Sequence, residues 1–193
     1  ENSFENFYKR SSSIKFLSTS LYKKTKETRK KKIFKPRAKM IFKILKKKKI
    51  KNYNCVDIGG GIGIFAKEIS KLMKKEAIVI EPSPFLAKEC KKKKLIVVQK
   101  FLEKVKKADI PIKRKVFTCF ELMEHLHNPS KFIKNLAKLM NKKDLFIFTT
   151  LSSTGTDILA LWNNSKAIIP PHHINFFNPK SIDIFLKKNK FKI

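Results

Sequence analysis

The chain has 193 residues, 42% of them hydrophobic and 17 of them phenylalanine, enough for one domain with a sizeable core. No run reaches the roughly 18 uncharged apolar residues of a membrane helix, and no signal-peptide pattern is read at the N-terminus. Cys55, Cys90 and Cys119 are widely spaced and form no CxxC pair, which excludes a disulfide framework and a zinc knuckle and leaves reduced, buried thiols in a soluble, cytoplasmic protein as the expectation.

The net charge of +31 raises the question of a nucleic-acid partner. Of the 46 basic residues only four are Arg, and the Lys are spread over every helical segment. A nucleic-acid site would favour Arg for its bidentate contacts, so a solvated Lys surface is the preferred reading and nucleic acid is not the favoured partner. The runs Lys46 to Lys49 and Lys91 to Lys94 are where phosphate contact would be sought.

Residues 1–50 contain no glycine and read as an N-terminal helical cap or arm: two helices, about 20 to 34 and 36 to 48, follow a mobile or capping segment. Pro36 suits the first turn of the second helix. From residue 51 short apolar runs alternate with amphipathic stretches: NCVDIG, IFAKEISKLM, AIVIEP, PFLAKECKKK, LIVVQKF, KVFTCFE, PSKFIKNLAKLM and DLFIFTT. This alternation predicts an α/β fold: a Rossmann-like, doubly wound, mainly parallel sheet of five strands over residues 51–193. Helices on both faces explain why the strands show little polar alternation. A last helix spans about Pro179 to Lys188 and leads to FKI, a strand-like start.

Four of the five glycines fall within residues 59–63, between the first strand and the next helix. That junction presents backbone N–H groups and a helix N-terminus to a ligand. The spacing is DxGxGxG, from Asp57 through Gly59 and Gly61 to Gly63. A GxGxxG fingerprint fails because position 64 is Ile, and no GK[ST] follows to make a phosphate-binding P-loop. A second acid, Glu81, closes the next strand in IVIEPSP, 24 residues after Asp57.

With these residues the chain resembles the class I S-adenosylmethionine-dependent methyltransferases, in particular the ubiquinone-type and methyltransferase-23-like relatives. VDIGGGIG resembles their first motif. The resemblance implies that Asp57, Gly59, Gly60, Gly61 and Gly63 pass under the amino-acid part of S-adenosylmethionine. It implies that Glu81, beside Pro82, accepts hydrogen bonds from the ribose hydroxyls; one carboxylate at a strand end matches two adjacent hydroxyl donors. QKFLEKV resembles the segment that packs on adenine, through Phe101 and Leu102. TCFELMEHLHNP resembles the E-x-x-E-H-x-x-x-P motif, with Phe120 and Glu121 on the cofactor side, and PPHHINFF resembles a later histidine segment. The usual Pro-Gly turn before the fifth strand is replaced by NKKD. The family's sheet ends in an antiparallel hairpin of which only FKI is present, so a C-terminally incomplete domain is the expectation.

The implied reaction is methyl transfer to a small-molecule acceptor, with a hydroxyl oxygen preferred and His125 as the base. Metal-free chemistry is the first choice. The resemblance also implies an alternative divalent-cation site at Glu121, Glu124, His125 and His172, or His173 in its place. His127 reads as a loop residue before the next helix. Trp162, in ILALWNN, reads equally as part of a substrate lid and as core packing. Two other functions remain beside the first: an RNA methyltransferase, and a non-catalytic module that keeps the cofactor fold.

Overall fold

A computed structural model describes residues 22–170 and 172–193. The segment before residue 22, expected to be an arm, lies outside these. The two expected helices are one continuous helical run: α1 (Tyr22–Arg29), a wide π turn (Lys30–Phe34) and α2 (Lys35–Lys47). The reason is Pro36. It lacks an N–H, and its ring would press on the carbonyl four residues back. The turn before it widens instead, so that Lys35 N–H donates to the Lys30 carbonyl five residues back, and the axis continues.

The five predicted strands form: β1 (Asn54–Ile58), β2 (Ile78–Ile80), β3 (Ile96–Val98), β4 (Lys115–Phe120) and β5 (Leu145–Thr149). All pairings are parallel, in the order β3-β2-β1-β4-β5. Between and after them lie α3 (Ile64–Met73), α4 (Pro84–Lys92), α5 (Pro129–Leu139), α6 (Thr156–Leu161) and α7 (Pro179–Lys188).

Successive strand residues point to opposite faces, and each face has its own core. Val56, Ile58, Ile78, Ile80, Phe117 and Cys119 pack with Phe132, Ile133 and Leu136 of α5. Cys55, Val79 and Val116 pack on the other side with Ala38, Ile41 and Leu45 of α2 and with Phe65 and Ile69 of α3. The three α5 side chains are at most 2% exposed, and each contributes about 1.5–3 kcal/mol by its burial. α5 starts cleanly: Asn128 Oδ1 accepts from Lys131 N–H at 2.9 Å, with Pro129 in the first turn.

The NKKD turn has its own anchor. Asp144 accepts from Asn141 N–H at 2.8 Å and from Lys115 N–H at 2.8 Å, and its carboxylate lies 3.3 Å from Lys115 Nζ. One buried acid thus closes the turn and ties β5 to the start of β4.

The closing FKI is not a strand. Lys190 takes a left-handed conformation (φ 65°), Lys190 N–H bonds Lys187 O and Phe191 N–H bonds Leu186 O. These two bonds make a Schellman stop that turns the chain inward, and the Phe191 ring sits 6.2 Å from Phe146.

Order β3-β2-β1-β4-β5 means that the connections leave β1 in one direction and reach β4 in the other. The crevice of such a sheet opens at the carboxyl ends of the two strands where the order reverses. Gly59 follows β1 there, and Glu121 follows β4.

Candidate active site

The bend after β1 begins with Gly59 N–H donating to Ile80 O at 2.8 Å. At Gly63 the positive φ of +73° would strain any side chain, and a Cβ would lie 2.5 Å from Leu95 Cδ1 and 2.9 Å from Cys90 Sγ, so the chain's own backbone and packing both favour glycine there. Gly61 differs. It too has a positive φ, +56°, but a Cβ built there would meet nothing within 4 Å. Backbone is bent sharply at Gly61 in front of open space.

Glu81, at the end of β2, is 1% exposed. Its Oε2 accepts from Gly61 N–H at 3.1 Å and its Oε1 from Ser83 N–H at 2.9 Å. Asp57, one strand over, accepts from the Thr118 hydroxyl at 2.7 Å, the residue directly opposite it on β4. Burial pushes both carboxyls up to about 7. For Glu81 the two N–H bonds oppose the rise and neighbouring Asp57 adds to it; for Asp57 the Thr118 bond and the Arg37 charge oppose it.

A folded-state pKa raised above the unfolded value gives stability that is full below about pH 4 and lost as pH rises through about 7. We expect the melting temperature to fall more between pH 5 and pH 8 in the unmodified chain than in Glu81→Gln, which cannot titrate. Scanning calorimetry checks this, and equal slopes would mean that Glu81 is ionised throughout.

A cavity of about 390 Å³ opens beside the bend. Ile58, Gly59, Ile80 and Pro82 line it from β1 and β2, Phe101 and Leu102 from the segment after β3, and Leu122, Leu126 and Phe132 from the far side. Its polar groups are Glu103, Lys104, His125, His127, Asn128 and Lys131. Of the residues expected at the site, Gly59, Pro82, Phe101, Leu102 and His125 therefore meet around one cavity. Asp57, Gly60, Gly61, Gly63 and Glu81 form its supporting layer and do not line it, and neither do Phe120 and Glu121.

Phe120 and Glu121 are engaged elsewhere. Arg37 of α2 stands over the Phe120 ring, 4.5 Å from its centroid, and its guanidinium donates to Glu121 Oε1 at 3.4 Å. Glu121 has a positive φ of 50° and also accepts from the Thr149 hydroxyl. The N-terminal helices are thereby tied to the end of β4.

Glu124 is buried and accepts from the Thr150 hydroxyl at 3.0 Å. The alternative cation site is not assembled: among the described residues no three His, Cys, Asp or Glu side chains form a group that could hold a metal ion.

His125 is held by its backbone neighbours. Its Nδ1 lies 2.7 Å from the His172 carbonyl oxygen. A carbonyl only accepts, so Nδ1 carries the proton and the lone pair of the neutral ring is on Nε2. The His173 ring stands 4.8 Å from it, centroid to centroid, with its own Nδ1 2.7 Å from Ala167 O. Asn175 locks this segment to the β4 end by donating to Met123 O and Leu126 O. His172 thus acts here through its main chain. His127 precedes the α5 cap, as expected, and lies at the cavity wall.

Sequence reading missed Arg37, Thr118, Leu122 and Asn175. A signal existed for Arg37 alone, one of four Arg among 46 basic residues and so a position where a planar cation is selected.

A five-stranded parallel sheet in this order, with an open glycine bend after β1 and an acid at the end of β2 bonded to that bend, is the arrangement of a nucleoside-binding doubly wound fold, and the family match makes it an S-adenosylmethionine-dependent methyltransferase of class I. Residues 25–193 match the family model described as a methyltransferase domain, and the chain belongs to that family. Comparison with curated protein sequences gives no match.

Among solved structures, the chain is similar to an SAM-dependent methyltransferase from Thermotoga maritima (TM-score 0.66, 16% identity, covering 92% of this chain and 80% of that one). It is similar to magnesium protoporphyrin IX methyltransferase from Synechocystis with bound SAH (TM-score 0.65, 12% identity, 94% and 89% covered). A third is a sugar N-methyltransferase from a Streptoalloteichus species (TM-score 0.56, 14% identity, 67% and 53% covered). At these identities the likeness is one of fold. Among the described residues no helix is long and apolar enough to cross a membrane.

Proposed function

We propose that this methyltransferase methylates a hydroxyl oxygen of a small molecule, with His125 as the base. The observation that carries the reading is the fixed tautomer of His125 at the cavity wall, which presents Nε2 as a proton acceptor. The bound cofactor supplies a methyl group already activated by its sulfonium, so the chain's tasks are alignment, exclusion of water and removal of one proton.

Gly61 offers a bend that no side chain obstructs, with the Glu81 carboxylate bonded to its N–H. These features fit an amino-acid nucleoside: an unobstructed bend, a carboxylate whose two oxygens each accept one backbone N–H and keep a lone pair for a ribose hydroxyl, and Pro82, Phe101 and Leu102 as apolar walls for a base. Asp57 and the remaining glycines shape the bend, and Phe120 with Glu121 carries the Arg37 tie. In this division residues 1–50 act as a cap and residues 51–193 as the cofactor domain. His125 Nε2 takes the proton of the acceptor hydroxyl as its oxygen receives the methyl group. Neighbouring folds act on a porphyrin and a sugar by their names, which supports a small-molecule acceptor.

The Lys runs end helices α2 and α4, where cations complement the helix dipole without any nucleic acid. Calorimetry with S-adenosylmethionine, NAD and ATP tests the cofactor half: heat is expected from the first alone, with micromolar affinity. Methyl-transfer assays on hydroxyl-bearing metabolites and on RNA test the other half. RNA affinity that survives physiological salt and is accompanied by RNA methylation would overturn the small-molecule reading. Cofactor binding with no transfer to any acceptor would favour a non-catalytic module.

A further inference from the structure

The segment between β5 and α7 is pinned at its ends and near the cavity, yet it holds apolar side chains outward. Ser153 N–H bonds Phe177 O at 2.8 Å, and the His125–His173 ring contact joins the segment to the cavity wall. Leu159 is 64% exposed, Leu161 52% and Trp162 67%. Ile169 and Ile174 are exposed as well, so five of the eleven large apolar side chains exposed among the described residues fall within 16 consecutive positions. Core packing of Trp162 is thereby corrected: the residue faces solvent. Its backbone is strained, with φ 44° and ψ −119°, a conformation that a non-glycine residue keeps only where its surroundings impose it.

We infer that this exposed segment docks on an anionic lipid surface. From Ile158 to Lys180 there is no acidic residue, while Lys166 and Lys180 are exposed. The acids flanking this stretch are both engaged: Asp157 accepts from the Ser165 hydroxyl at 2.9 Å, and Asp183 pairs with Lys187 at 2.7 Å. A second copy carrying the same +31 charge would be repelled from this segment. An anionic bilayer matches both features. Lysines are drawn to its headgroups, and leucine and tryptophan side chains partition into its interfacial layer. The cavity wall at His125 is then brought to the membrane surface. The inference does not depend on methyl transfer, because docking is measured without cofactor or acceptor.

The test uses the full chain with sucrose-loaded vesicles of phosphatidylcholine alone, or of three parts phosphatidylcholine to one part phosphatidylglycerol. Cosedimentation is expected with the anionic vesicles, at least about tenfold above the zwitterionic ones and falling with added salt. Trp162 is the single tryptophan, so emission reports this segment directly and is expected to move to shorter wavelength on binding. The double substitution Leu159→Ser and Leu161→Ser is expected to weaken binding at least about tenfold; circular dichroism verifies that it keeps the fold.

Four results would each overturn the inference. They are no binding to anionic vesicles, binding with unshifted Trp162 emission, undiminished binding of the double variant, and a vesicle-free dimer that the double variant loses. The third would leave lysine adsorption as the only force, and the fourth would make a second copy the occupant.

Discussion

Glu81→Ala is expected to weaken S-adenosylmethionine binding at least about a hundredfold while leaving the helical circular dichroism unchanged. Glu81 accepts from the N–H groups of Gly61 and Ser83 in a site only 1% exposed. Removing it leaves two donors without their acceptor, at about 1–3 kcal/mol each. That cost falls on the stability of the fold; the loss of affinity comes from the ribose hydroxyls that the carboxylate is proposed to hold, where two bonds to a charged acceptor at about 1.5–3 kcal/mol each correspond to at least about two decades. Gly61→Val should abolish binding by a different route. Gly61 has φ +56°, and a Cβ built there meets nothing within 4 Å. The branched side chain of valine is strained in the left-handed region and fills the space in front of the bend. Calorimetric titration of both variants decides. If affinity is retained in both, the bend and the acid are not the cofactor site.

The parts of this molecule that were legible in its sequence are those set by local pattern. β1, β2 and β4 are buried on both faces, so they read as short apolar runs without alternation, and the helices between them as amphipathic ones. The glycines of residues 59–63 stood out because a chain with five glycines placed four of them at one strand end. What sequence could not show depends on residues far apart in the chain. Arg37 reaches Glu121 across 84 positions, and Thr118 reaches Asp57 because register, not spacing, sets β1 beside β4. The π turn before Pro36 was hidden for another reason: proline at that point is equally consistent with a new helix and with a widened turn. Trp162 was ambiguous because its apolar neighbours match both a core and an exposed face, and only packing decides between them.

His125→Ala is expected to lower kcat by about a hundredfold to ten-thousandfold, the range for a positioned acid–base group. Affinity for S-adenosylmethionine should change far less, because His125 is assigned to the acceptor and not to the ribose or the bend. The mechanism lies in the bond from Nδ1 to the His172 carbonyl. A ring bonded in this way cannot offer Nδ1 as a base, so proton transfer must use Nε2. His125→Gln therefore separates catalysis from packing: glutamine keeps a polar side chain of similar reach but cannot take up a proton at neutral pH, and so should be as slow as alanine. A purely structural role predicts the opposite, with glutamine restoring much of the rate. Steady-state kinetics of both variants, with cofactor Kd measured separately, distinguishes the two. A kcat unchanged in His125→Ala would remove His125 from the chemistry and leave alignment as the chain's only contribution.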